Sequence, residues 1–188
     1  MAHTLCPIRN GVDMQQLADT LDAIGAHPEL GAFTFRATNR WLNGAHSRST
    51  IKGFFGAGAD DATRTEAFLV DAGEPAVLLG TDGGPNPAEY LLHALAACLT
   101  TTLVYDAATR AIRLHEVEST FEGEMDVRGR LGIDDAYRNG FTRIRGTFRI
   151  EAEAPDEQLR EIVERARTRS AVYDMVANGV PVEIEAAA

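Results

Sequence analysis

Cysteine is nearly absent from this chain of 188 residues, with Cys6 and Cys98 the only two. Two thiols exclude a disulfide framework and a four-cysteine zinc site. Lysine is scarcer still: Lys52 stands alone beside seventeen arginines, a bias that genome composition explains as well as function. Positive charge as a whole is in deficit, since 18 basic against 28 acidic side chains leave a net −10. That balance argues against a nucleic-acid or anionic-membrane partner, either of which calls for a basic patch. A leader is not evident either, because the first 28 residues lack a basic start and a continuous apolar run. The longest apolar stretch, residues 90–105, includes His93 and three threonines. It is too short and too polar to predict a membrane span, so a cytoplasmic protein is expected. The length suits one domain with an added element.

The added element is at the start. Met14, Leu17, Leu21 and Ile24 recur at helical spacing until Gly25 and Pro28 end the pattern. This divides the chain into a helical extension over residues 1–30 and a single domain over 31–188. Cys6 precedes the helix, in an expected tail.

From Phe33 the period becomes two, with Phe33, Phe35, Ala37 and Trp41 on one face. Asn43-Gly44 then predicts a two-residue hairpin turn into a second strand over 45–55. In the simplest register, paired numbers sum to 87. Arg48 then lies opposite Asn39 on the Trp41 face, and Arg40 faces the other way. A bulge would reverse that assignment. A third short strand is expected over 66–71, followed by a glycine-dense connector, residues 80–87.

Asn86, Pro87 and Glu89 are an N-cap, a first helical residue and the second half of a capping box. They predict a helix to about Ala108, about 34 Å long at about 1.5 Å per residue. Apolar side chains surround it almost completely, so the rest of the fold or a second subunit must wrap it. Strict alternation returns over 112–128, with Val117, Phe121, Met125 and Val127 opposed to Glu116, Glu118, Glu122, Glu124 and Asp126. Ile144, Phe148 and Ile150 alternate with Arg143, Arg145 and Arg149. Paired, these strands set an acidic row beside an arginine row, so the carboxylates read as a solvated sheet face rather than a metal or acid/base site. A last helix starts at Pro155, is interrupted near 170–174 and stops at Asn178-Gly179; Val180, Val182 and Ile184 predict a closing strand.

Chemistry has few places to go. The five histidines show no zinc-ligand spacing, and no phosphate-binding glycine loop occurs. No metal and no cofactor is expected. Cys98 can be read as a small core hydrophobe or as a nucleophile. Twelve residues beyond the Asn86 cap, it is out of reach of the helix dipole. A reactive thiolate there needs a cation, which the inward Arg48 would supply.

The segment Asn86-Pro-Ala-Glu-Tyr-Leu-Leu-His-Ala-Leu-Ala-Ala-Cys-Leu-Thr-Thr-Thr102 resembles the core-helix signature of the OsmC/Ohr family, the osmotically inducible and organic-hydroperoxide-resistance proteins. The likeness runs over residues 33–185 and includes the Trp41 hairpin and the 170–181 segment. It implies an α+β fold of antiparallel sheets wrapped around a long central helix, in an intertwined homodimer, here with an extra N-terminal helix. In peroxidase members the thiolate at the place of Cys98 attacks the peroxide and becomes a sulfenic acid, which a second cysteine resolves. That second place falls at Ala171. The family's arginine maps onto Arg48, and its acidic partner onto Ala88, with Glu89 displaced by one.

The resemblance thus implies a peroxiredoxin-like reductase of organic hydroperoxides, with Cys98, Arg48 and Glu89 as site residues and an external thiol as reductant. Two alternatives stand beside it. One is a non-catalytic protein that binds a small apolar molecule, and the other is a thiol redox sensor.

Overall fold

Side-chain caps set the start of four of the five helices in this computed structural model, which describes residues 8–186. Asp13 accepts hydrogen bonds from the backbone of Gln15 and Gln16, Asp126 from Arg128, and Ser170 from Tyr173. Asn86 accepts from Ala88 at 2.7 Å, while Glu89 reaches back to the Asn86 N–H at 2.8 Å. The capping box expected from the sequence is therefore formed.

In chain order the elements are β1 (Ile8–Arg9), β2 (Val12–Asp13), α1 (Met14–Ala26), β3 (Thr34–Phe35), β4 (Thr38–Asn43), β5 (His46–Ile51), β6 (Phe54–Gly56), β7 (Ala59–Asp60) and β8 (Phe68–Ala72). There follow α2 (Pro87–Thr109), β9 (Leu114–Glu124), α3 (Val127–Arg130), β10 (Arg143–Ala152), α4 (Asp156–Arg169) and α5 (Ala171–Asn178). They form two compact units, residues 13–91 and residues 8–12 with 92–186. Cys6 lies outside the described residues.

The first unit holds α1 and two three-stranded sheets, β3-β6-β7 and β4-β5-β8. No residue of α1 is buried, and Leu21 of its apolar stripe is 60% exposed. The β4–β5 hairpin departs from the expected register. Trp41 pairs with Ser47 and Arg40 with Arg48, and the count then shifts so that Asn43 meets His46. Leu42 is the extra residue of a β-bulge, and one extra residue moves every later side chain to the other face. Arg48 therefore shares its face with Arg40, not with Trp41. Its neighbour on the other side is Asp71 of β8.

After β8 the chain folds back on itself. The Gly73 N–H donates to the Pro85 carbonyl and the Asp82 N–H to the Glu74 carbonyl, with Glu74 buried. Gly84 passes so close to β8 that a Cβ there would stand 2.5 Å from the Asp71 carbonyl oxygen. Only glycine fits that approach.

The second unit packs α2 and α4 against the β9–β10 pair. Leu95, Leu99, Leu103 and Ala107, each four residues after the last, share a stripe of α2 and meet Ile162 and Ala166 of α4 in the core. Val117 and Phe121 of β9, with Ile144, Phe148 and Ile150 of β10, cover that core. Phe121 and Phe148 meet edge to face, ring centres 6.0 Å apart. Phe121 lies opposite Gly146, where a Cβ would come within 2.3 Å of its ring. On the outer face the two rows of charge interlock as expected: Arg149 holds Glu116 at 2.6 Å and Glu118 at 3.0 Å, and Arg145 holds Glu124.

The edge beside β9 is closed by Asn10, whose amide imitates a peptide, donating to the Ile112 carbonyl (2.9 Å) and accepting from the Leu114 N–H (3.0 Å). Asp106, near the end of α2, is gripped by Arg110 at 2.9 Å and by Arg165 of α4 at 2.7 Å.

Three expectations need correction. β9 ends at Glu124, earlier than the alternation suggested, because Asp126 caps α3. Residues 179–186 form no strand. Val180, Val182 and Ile184 are 54%, 73% and 90% exposed, since an alternating segment becomes a strand only where an edge accepts its hydrogen bonds. Finally, α2 has 23 residues, and an 18-residue stretch within it has a mean hydropathy of 1.4, which by length and composition would suffice to cross a membrane. The core helix of a soluble protein meets the same criterion.

Candidate active site

Cys98 is a free, half-buried thiol on the fourth turn of α2, flanked in sequence by the core stripe of Leu95 and Leu99. The hydroxyl of Thr102 donates to the Cys98 carbonyl at 2.8 Å, and that of Thr101 to the Ala97 carbonyl at 3.0 Å. These two bonds turn the threonines back onto the helix and leave the turn around Cys98 without a free hydroxyl from either. The place of a resolving thiol, Ala171, opens α5.

Arg48 belongs to the first unit and is already engaged. Its Nε and Nη2 donate to the two carboxylate oxygens of Asp71, both at 3.0 Å, the planar two-pronged fit of guanidinium to carboxylate. His46 donates from Nε2 at 2.8 Å to Asp71 Oδ1, the oxygen that also accepts from Arg48 Nε. The Arg48 hydrogen bond, with that of His46 behind it, holds the Asp71 carboxyl below the usual carboxylate range. Asp71 in turn raises the Arg48 guanidinium further above its already high value. The backbone of Asp71 is also tied, its carbonyl accepting from the Tyr90 hydroxyl at 2.6 Å in the first turn of α2.

Glu89 serves the helix start, as the capping box required. Asn86 is held from three sides, because its side-chain amide also donates to Glu74. Of the three residues singled out by the sequence, Arg48 and Glu89 thus lie in the first unit and Cys98 in the second.

Sequence reasoning missed Asp71 and His46. The available signal was the third strand itself. Pairing it antiparallel to the second brings an acidic residue opposite one arginine, a test that the two-strand reading never posed. Among the described residues, no group of three or more His, Cys, Asp or Glu is placed to hold a metal ion.

Residues 80–185 match the family described as OsmC-like protein. The chain belongs to the OsmC-like family. A search of curated proteins finds no match. Solved structures of the same fold include an OsmC-like protein from Mycoplasma pneumoniae, 15% identical with a TM-score of 0.59, covering 77% of this chain and 87% of that one. A hypothetical protein from Aquifex aeolicus is 13% identical, with a TM-score of 0.53 over 77% and 88% of the two chains. An organic hydroperoxide resistance protein OsmC from Legionella pneumophila is 16% identical, with a TM-score of 0.52 over 78% and 90%. At these identities the likeness establishes the fold: this OsmC-like chain is an α+β protein with antiparallel sheets and one long apolar helix.

Proposed function

We propose that the chain reduces organic hydroperoxides by a one-cysteine mechanism with Cys98 as nucleophile. The observation that carries this reading is a free, half-buried thiol on the core helix of a chain in the OsmC-like family. The Cys98 thiolate attacks the terminal peroxide oxygen, the O–O bond breaks, and the alkoxide leaves with the electron pair and takes up a proton. Cys98 becomes a sulfenic acid. Because position 171 is alanine, an external thiol condenses with the sulfenic acid and releases water. A second equivalent of thiol then frees Cys98 and departs as a disulfide. The apolar surface of α2 favours organic over small polar peroxides.

Arg48 is proposed as the cation that favours the thiolate. Since Asp71 now neutralises it, that role requires Arg48 to exchange Asp71 for the sulfur. Glu89 would assist through the helix start it caps, at one remove from the reaction.

A homodimer is part of the proposal. Only five of the 23 residues of α2 are buried, and Val180, Val182 and Ile184 have no strand partner. A second copy would cover the first and pair with the second. A cytoplasmic location is also part of the proposal, since low-molecular-weight thiols there would supply the reductant.

The test is consumption of cumene hydroperoxide with dithiothreitol as reductant. Wild type should turn over and Cys98→Ser should not; equal, slow rates would defeat the reading. Wild-type protein that becomes one oxygen atom heavier without turnover would instead support a redox sensor. Asp71→Asn should release Arg48 and speed the alkylation of Cys98 at neutral pH, whereas an unchanged rate would remove Arg48 from the mechanism.

A further inference from the structure

The second unit contains a mostly apolar cavity of about 380 Å³, and Cys98 is not among the residues that line it. Leu95 and Leu99 of α2 form one wall, Phe121 and Ile144 of the sheet another, and Val176 of α5 a third. The space is half open to solvent, with Gly146, Arg167 and Ala177 of its lining exposed. Its volume is that of the smaller small-molecule sites, which begin at about 300 Å³. Gly146 helps to keep the space open. The Phe121 ring lies across it, within 2.3 Å of where a Cβ would be, instead of needing room elsewhere.

One edge of the cavity is polar. Arg167 and Tyr173 both line it, with the guanidinium Nη1 donating to the Tyr173 hydroxyl at 3.0 Å. Glu164 accepts from Arg167 Nε at 2.8 Å and from Nη2. A guanidinium has five N–H donors, so these three bonds leave two. Its charge, however, is already answered by Glu164. A second carboxylate brought to Arg167 would also face Glu164, whereas an uncharged acceptor would meet free donors without that repulsion.

We propose that this cavity binds a medium-chain aliphatic molecule with a single uncharged hydrogen-bond acceptor at one end, such as a ketone or ester, its oxygen at Arg167 and its chain among Leu95, Leu99, Ile144 and Val176. This site stands independently of the thiol chemistry.

Calorimetric titration of the full chain with 2-octanone tests it, with sodium octanoate as the charged comparison. Wild type should bind 2-octanone saturably at one site per chain, and octanoate at least about tenfold more weakly. Ile144→Trp and, from the opposite wall, Val176→Phe should each abolish binding. Either one that retains the wild-type circular dichroism spectrum suffices. Cys98→Ser should bind as wild type does. The inference is overturned if 2-octanone does not bind, if both filling variants bind normally, or if octanoate binds as tightly. Loss of binding in Cys98→Ser would move the ligand to the thiol, and dissociation of an oligomer by 2-octanone would make a second copy the occupant. Either result also overturns it.

Discussion

Leu103, Ile162 and Ala166 are wholly buried in the second unit, and every buried hydrophobic side chain among the described residues is found there. In the first unit the buried side chain is that of Glu74, while Phe35, Trp41 and Phe68 are 74%, 69% and 60% exposed. The second unit is held by apolar burial, and the first by polar contacts, the Asp71 cluster and the Asn86–Glu74 bond, together with rings stacked at its surface, such as Phe33 on Phe35. An exposed aromatic face of this kind is where the proposed second copy would sit. The contrast teaches that one half of the chain supplies its own core and the other leaves its aromatic face open.

The largest expected effect is in the self-sufficient half. Ile162→Ala should lower unfolding stability by about 2–5 kcal/mol in urea titration, the range for a large core side chain cut to alanine. Phe35→Ala should change it by no more than about 0.5 kcal/mol when the chain is dilute and monomeric. A Phe35 effect as large as that of Ile162 at every concentration would erase the contrast. An effect that grows with concentration would identify a second copy as the cover.

Next in size is Asn86→Ala, at about 1–2 kcal/mol by thermal melting, since it removes both the α2 cap and a donor to buried Glu74. A neutral result would mean that polar contacts do not hold the first unit. Smaller is Arg149→Ala on the outer face of β9–β10. Its pairs are exposed, so a small loss at low ionic strength should vanish near 1 M salt, where screening acts within about 3 Å. A loss that survives salt would come from packing of the Arg149 stem across the strands rather than from its charge.

Smallest is a pH effect at α3. Hydrogen bonds from Arg128 hold the Asp126 carboxyl down to about 2 from its usual 3.8. A depressed carboxyl stabilises above its unfolded value and loses that contribution as pH falls through its folded value. Wild type should therefore exceed Asp126→Asn in melting temperature at pH 5 and approach it near pH 2. A constant difference would assign the effect to the cap geometry alone.

Legibility followed the range of the information. The α2 helix could be read to within a residue at its end, because the Asn86–Glu89 box and the apolar run are local. That β9 and β10 set an acidic row beside an arginine row could also be read from their alternation, whereas the alignment of Arg149 with Glu118 comes from the structure. The face of Arg48 could not be read, because Leu42 adds a single bulged residue that leaves no mark on the alternation. Nor could the fate of Val180, Val182 and Ile184, whose pattern says strand while its hydrogen bonds depend on an edge that no local segment specifies. At the candidate site, Cys98 was legible as a position. The engagement of Arg48 with Asp71 and His46 was not, since it arises from a third strand paired across more than twenty residues.

The Phe121–Gly146 contact has a consequence for inheritance. The ring occupies the space a side chain at 146 would need, so neither position can change alone. Gly146→Ala would drive the ring off the strand and toward the cavity, while a smaller residue at 121 would leave a hollow over the glycine. Descendants of this sequence should therefore change the two positions together or not at all.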